Sequence, residues 1–117
     1  MISIIVPTLN ELSNIDKTIL RIKKLFSKIK INYEIVFVDD KSDDGTIEKI
    51  LTYKKKNKNI KLIISQKRNG LGYALLQGVN TAVGDYILFL DADNSVQNKY
   101  LEKLITNREK NTLIIGS

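Results

Sequence analysis

The chain of 117 residues contains no cysteine and no histidine. The first absence excludes disulfides, thiolate nucleophiles and cysteine-based zinc sites. The second removes histidine-assisted serine catalysis, imidazole acid–base work and imidazole metal ligands. Chemistry is left to carboxylates, Lys, Arg, Tyr and hydroxyls, so a metal held here would be oxygen-bound, hence Mg2+, Mn2+ or Ca2+. No apolar run is long enough to span a bilayer, and the opening Met-Ile-Ser-Ile-Ile-Val lacks the basic segment of a signal peptide. The expectation is a cytoplasmic protein.

What is present suits one soluble domain: 43% hydrophobic and 27% charged residues, in a length that buries about two-thirds of its unfolded surface. The net charge of +6 gathers in Lys23-Lys24, Lys28, Lys30 and Lys54-Lys55-Lys56-Asn57-Lys58. These runs read as a solvated helix face and a charged loop. They also suit peripheral association with anionic lipid headgroups. No aromatic residues interleave with them as a single-strand stacking platform requires, so nucleic acid is not an expected partner.

Hydrophobic periodicity alternates between strand and helix along the chain. Ile2 to Val6 is a β-branched run closed by Pro7. Ser13 and Asp16 resemble a capping box opening a long amphipathic helix through Ile15, Ile19, Ile22, Phe26 and Ile29. Tyr33 to Val38 reads as a second strand, ending in Asp39-Asp40. Asp44 is the expected N-cap of a helix through Ile47, Ile50 and Leu51. Ile60 to Ser65 is a third strand. Leu71, Ala74, Leu75, Gly78 and Ala82 mark a third helix with a small-residue face. Gly84-Asp85 turns into a fourth strand, Tyr86 to Leu90; a helix through Tyr100, Leu101, Leu104 and Ile105 follows, and Thr112 to Ile115 begins another strand. This alternation predicts an α/β, Rossmann-like parallel sheet with helices on both faces.

Ligands of open α/β sheets bind beyond the carboxyl ends of the strands. Polar clusters follow each strand here: Thr8-Leu9-Asn10-Glu11, Asp39-Asp40, Arg68-Asn69-Gly70, then Asp91 and Asp93. Two carboxylates about 4 Å apart repel by roughly 4 kcal/mol at an effective dielectric of 20, so the Asp91-Ala92-Asp93 pair needs compensation. In an extended strand end both side chains leave the same face and can share one cation with ligand phosphates. Alternatively, Asp93 or Ser95 caps the next helix and Asp91 faces solvent. Gly70-Leu71-Gly72 either turns amides toward a phosphate or permits tight helix packing. Asp40 either accepts from a base or ribose or simply belongs to a loop, and Glu11 suits the first turn of a helix.

Taken in order, Ile4-Ile5-Val6-Pro7-Thr8-Leu9-Asn10-Glu11, Val38-Asp39-Asp40 through Gly45-Thr46, Asn69-Gly70-Leu71-Gly72-Tyr73-Ala74, and Gly84-Asp85-Tyr86 through Asp93 resemble the nucleotide-binding half of family 2 glycosyltransferases with the GT-A fold. The likeness covers roughly residues 2 to 105 and leans toward the polyprenyl-phosphate mannosyl- and glucosyltransferases. It implies strand order 3-2-1-4 and a GDP- or UDP-sugar donor. It also implies base and ribose contacts from Pro7, Thr8, Leu9, Glu11 and Asp40, and donor contacts from Arg68, Asn69 and Asp91. Mn2+ or Mg2+ would be held by Asp91 and Asp93. The acceptor would be a lipid phosphate or a saccharide, recognised by a second half that these residues do not include, so the chain alone would be inactive. That branch commonly continues its Asp-x-Asp motif with Gln-His-Pro-Pro, where this sequence has Asn94-Ser95-Val96-Gln97.

Two rival functions accompany this one. A haloacid-dehalogenase-like phosphatase also presents Asp-x-Asp after a strand, but after the first strand of its domain rather than the fourth. A non-catalytic module that binds nucleotide or self-associates is the other. An unfinished sheet leaves an edge, and a homodimer is expected through it.

Overall fold

The computed structural model of the chain describes residues 1–65, 70–94 and 96–108, together with the backbone of 114–116. The elements are β1 (Ile2–Thr8), α1 (Leu12–Ile29), β2 (Tyr33–Asp39), α2 (Thr46–Lys56), β3 (Ile60–Ile64), α3 (Leu71–Thr81), β4 (Tyr86–Leu90), α4 (Asn98–Thr106) and β5 (Ile114–Gly116). Every strand pair is parallel, and the sheet runs β3-β2-β1-β4-β5. The expected order 3-2-1-4 is therefore observed, with β5 added beyond β4.

Strands buried on both faces read as near-continuous apolar runs, as β1 and β2 do apart from Ser3 and Glu34. Their alternate residues serve two separate cores. Ile2, Ile4 and Val6 of β1, Ile35 and Phe37 of β2, and Leu88 and Leu90 of β4 pack against α1, α2 and α4. Ile5, Val36 and Val38, with Ile87 and Phe89 at their margin, pack against Ala74 of α3. Only α3 covers this second face among the described residues, and it lies close. A Cβ at Gly78 would sit 2.5 Å from Cγ2 of Ile5.

β1 runs two residues further than its apolar stretch, through Pro7. The carbonyl of Thr8 accepts from the Asp40 amide, so Thr8 bonds toward β2. By alternation Pro7 bonds toward β4, where pairing already ends at Ile5 and Phe89. Its missing N–H thus breaks no ladder bond.

Both expected helix caps are displaced. Ser13 and Asp16 form no capping box: α1 begins at Leu12, and Glu11, in the N-cap place, makes no side-chain cap. Asp16 instead accepts from the Tyr53 hydroxyl and pairs with Lys49 at 3.4 Å, which holds its carboxyl below the usual range. The free amides before α1 are served from the loop after β2. Glu11 N donates to Oγ1 of Thr46 (3.0 Å) and Leu12 N to Oδ2 of Asp44 (3.2 Å). Asp44 is not the N-cap of α2, a place taken by Gly45 at φ 99°. It accepts from the Thr46 amide with Oδ1 while Oδ2 serves Leu12, so one carboxylate joins two helix starts.

At the amino rim Glu34 is almost fully buried within apolar β2. Its Oε2 accepts from Ser3 Oγ (2.5 Å) and the Val83 amide (2.8 Å), and its Oε1 meets Lys61 Nζ at 2.7 Å. Ser3 Oγ accepts in turn from Gly84 N. This knot fixes the α3–β4 connection against β1. Burial alone would raise the Glu34 pKa, but Lys61, Ser3 and the Val83 amide outweigh it and hold the carboxyl below its ordinary value.

A carboxyl with a depressed native pKa contributes stability above its unfolded pKa and loses it as pH falls through the native one. Urea midpoints should therefore drop as the pH is lowered through and below the ordinary glutamate range, and Glu34→Gln should flatten part of that drop. A Cβ at Gly84 would lie 2.7 Å from Ser3 N and 2.8 Å from the Met1 carbonyl, both backbone atoms. Gly84→Ala should cost about 1–3 kcal/mol in urea unfolding at neutral pH.

Candidate functional site

The two-residue alternation that builds the cores continues past the strand ends and sorts the polar residues there. Pro7 follows Ile5, Asp40 follows Val38, and Asp91 follows Phe89, all toward the α3 face. With Thr8, Leu9, Glu11, Val38, Gly70, Leu71 and Ala74 they line one cleft of about 280 Å³ at the carboxyl rim. Binding sites for drug-sized ligands occupy about 300–1,000 Å³, so the cleft stands just below that range.

The same alternation divides the Asp39-Asp40 pair. Asp39 is fully buried on the opposite face. It accepts from Thr8 Oγ1 (2.6 Å), Ser42 N (2.7 Å) and Ser42 Oγ (2.7 Å). The Thr8 hydroxyl is thereby turned inward, although the residue lines the cleft. Asp40 is half-buried in the cleft and accepts from the Gly70 amide at 3.3 Å. The loops themselves are stitched together. Asn10 N donates to Ser42 Oγ (2.8 Å), and Asn10 Oδ1 accepts from Asp43 N (3.0 Å). Glu11 lines the cleft with its Oε2 accepting from Asn14 Nδ2.

Gly70 stands at φ 86°, where side chains are strained, and its amide is committed to Asp40 rather than open to a phosphate. Tight packing does not explain the pair either, because a Cβ at Gly70 or Gly72 would meet nothing within 4 Å. Close helix approach belongs to Gly78.

The Asp91-Ala92-Asp93 segment is not extended as the same-face argument required. β4 ends at Leu90, Ala92 and Asp93 form a turn, and Asn94 takes φ 60°. Asp91 lines the cleft, whereas Asp93 is exposed and within electrostatic reach of Arg21 on α1. Arg68, Asn69 and Ser95 lie outside the described residues.

Periodicity did not mark Thr18 and Arg21, which reach this turn from α1. Thr18 Oγ1 donates to the Ala92 carbonyl (3.3 Å) and lies 3.2 Å from Asn94 Oδ1. Arg21 donates from Nε to Asn98 Oδ1 in the first turn of α4. Its Nη1 and Nη2 are out of water with no hydrogen-bond partner. Burial disfavours the guanidinium charge, and Asp93 opposes that effect. The only sequence signal was polar residues at Thr18 and Arg21 beside the apolar stripe.

Among the described residues the cleft has no Lys or Arg in its lining, and no three acidic side chains stand close enough to hold an ion by themselves. An ion here would need oxygens brought by the ligand. Mg2+ behaves this way, using one or two carboxylates plus substrate phosphates.

The fold is a parallel α/β sheet with its cleft beyond the carboxyl ends of the strands, where open α/β sheets bind their ligands. The chain belongs to glycosyl transferase family 2, whose model matches residues 3–117. It is 38% identical over 104 residues to the dolichol-phosphate mannosyltransferase of Pyrococcus furiosus, covering 89% of this chain and 29% of that protein. It is 34% identical over 115 residues to an uncharacterized glycosyltransferase of Haemophilus influenzae, covering 98% and 45%. Among solved structures it resembles residues 1–349 of S. aureus TarS with UDP-GlcNAc (TM-score 0.75, 26% identity, 93% of this chain and 31% of that one). It also resembles the mannosyltransferase PcManGT of Pyrobaculum calidifontis with GDP-Man and Mn2+ (TM-score 0.74, 25% identity, 89% and 31%). The chain thus spans less than half the length of each of these relatives.

The division of Asp39 from Asp40 is directly testable. Asp39→Ala strands the Thr8 and Ser42 donors and should cost about 2–4 kcal/mol in urea unfolding. Asp40→Ala should cost about 1 kcal/mol or less, because its side chain borders the cleft.

Proposed function

We propose that the chain is the donor-binding domain of a hexosyltransferase that takes a GDP- or UDP-sugar with a divalent cation. One observation carries this reading: Asp40 and Asp91 share a rim cleft with the apolar Pro7, Leu9 and Val38, and among the described residues no Lys or Arg lines it to meet a diphosphate. Leu9 and Pro7 offer a surface for a base, and Asp40 and Glu11 offer acceptors for ribose hydroxyls or base N–H groups. Asp91 and Asp93 are the residues that would hold Mn2+ or Mg2+. When bound, the ion supplies a Lewis acid that neutralises charge on the departing nucleoside diphosphate. Arg68 and Asn69 are kept as further donor contacts on the resemblance alone.

Support for the donor class comes from relatives in complex with UDP-GlcNAc and with GDP-Man and Mn2+. The mannosyltransferase relative supports a lipid-phosphate acceptor, with a saccharide as the second choice. The reading includes a cytoplasmic setting. The exposed lysines Lys24, Lys28 and Lys30 support contact with an anionic membrane surface. No described helix is long and apolar enough to cross a membrane. A homodimer through an open sheet edge is part of the same reading. The family match sets aside the phosphatase alternative.

Calorimetry with UDP and GDP, each with and without Mn2+, tests the reading. Binding should require Mn2+ and weaken at least about tenfold in Asp91→Asn and in Asp93→Asn. Metal-independent binding would count against the divalent cation, and unchanged binding in either variant would count against that residue as a ligand.

A further inference from the structure

Arg21 carries the buried side-chain nitrogens that lack a hydrogen-bond partner among the described residues. It is tied by Nε to Asn98 at the start of α4, and its two terminal nitrogens are buried without hydrogen-bond partners. Such a placement is costly, since a buried donor left unpaired pays its full desolvation penalty. Apolar residues at position 21 would pack against α4 without that cost. The turn carrying Asp93 is held against α1 by Thr18, three residues before Arg21, through the Ala92 carbonyl and Asn94, and Asp93 lies within electrostatic reach of the guanidinium. The cation is therefore fixed close to the loop that carries Asp91 and Asp93.

Resting on the donor-and-cation reading above, we infer that Arg21 is an electrostatic positioning residue for the Asp91–Asp93 loop. Its fixed positive charge compensates the carboxylates while the cleft is empty and opposes a divalent ion that arrives without a nucleotide. The ion then binds appreciably only as a complex with a nucleoside diphosphate, whose negative charge offsets the repulsion from Arg21. Arg21 touches neither ion nor ligand in this scheme and acts through the field it imposes on Asp93.

A merely structural role and an electrostatic one predict opposite signs. Removing a tether loosens the loop and weakens metal binding; removing a nearby positive charge strengthens it. Mn2+ alone should bind Arg21→Gln about tenfold more tightly than the unaltered chain, with a smaller gain when UDP or GDP is present. Arg21→Lys keeps the charge but loses the planar fork, so it should behave like the unaltered chain. Raising the salt should shrink the difference between Arg21→Gln and the unaltered chain.

A separate measurement covers failure of the glutamine variant to fold. Without metal or nucleotide, Asp93→Asn should lower Tm by a few degrees, because it strips the buried guanidinium of compensation. Weaker or unchanged Mn2+ binding in Arg21→Gln, Arg21→Lys behaving like Arg21→Gln, or an unchanged Tm in Asp93→Asn would each overturn the inference. If the unaltered chain binds Mn2+ with UDP or GDP while those results appear, the donor reading stands and only the role of Arg21 falls. If the unaltered chain binds no Mn2+ under any of these conditions, both fall.

Discussion

The carboxylate of Asp39 is the constraint on which the rim of this sheet depends. It is fully buried and collects Thr8 Oγ1 and two donors from Ser42, so it binds the end of β1 to the end of β2 and to the turn beyond. Hydrogen bonds to a charged group contribute about 1.5–3 kcal/mol each, and removing the acceptor leaves buried donors unpaired. From that knot the pairing of Asn10 with Ser42 and Asp43, and of Glu11 and Leu12 with Thr46 and Asp44, follows outward. The loops after β1 and β2 are therefore held in place by bonds internal to the protein. A ligand meets a formed surface rather than organising one, which lowers the ordering cost of binding.

The two faces of the sheet divide the work between stability and recognition. The α1, α2 and α4 side holds most of the described core, including Phe26, Phe37 and a run of isoleucines. The α3 side has a thinner core, and the cleft opens on it. Gly78 draws α3 down onto Ile5, which brings Gly70, Leu71 and Ala74 to the rim beside Asp40 and Asp91. Small-residue packing some eight positions away thus sets the width of the site. A larger residue at position 78 would lift the helix and open the cleft before it touched any ligand.

Elements whose signal is local were legible in the sequence. The isoleucine spacing of α1 and the β-branched runs of β1 and β2 each carry their own period, and those elements are where the periods put them. The caps were not legible, because the acceptors for the first amides of α1 come from Asp44 and Thr46, more than thirty residues on. Ser13 and Asp16 have capping-box chemistry, yet the helix starts too early to use it. Asp39 and Asp40 are chemically identical neighbours, and only the strand continuing to Asp39 assigns one to the knot and the other to the cleft. Glu34 and Arg21 were silent for the same reason: what matters about each is a partner or a lack of one in three dimensions.

Charge ties these observations to the proposed donor. The chain is basic by six charges, yet Asp40, Glu11 and Asp91 border the cleft without a lining lysine or arginine among the described residues. Lys24, Lys28 and Lys30 lie on or just beyond the outer end of α1, and Lys54, Lys55, Lys56 and Lys58 around the end of α2. At physiological salt, exposed charges are largely screened beyond about 8 Å. The lysines can thus raise the encounter rate of a polyanion without holding it. At the cleft itself a bare diphosphate meets carboxylates, and a bare divalent ion meets the field of Arg21 behind them. Each is disfavoured alone, while a nucleoside diphosphate already carrying its ion presents little net charge to either. On the proposed reading, selectivity for the metal-bound donor follows from where the charges sit, before any contact distinguishes one base or sugar from another.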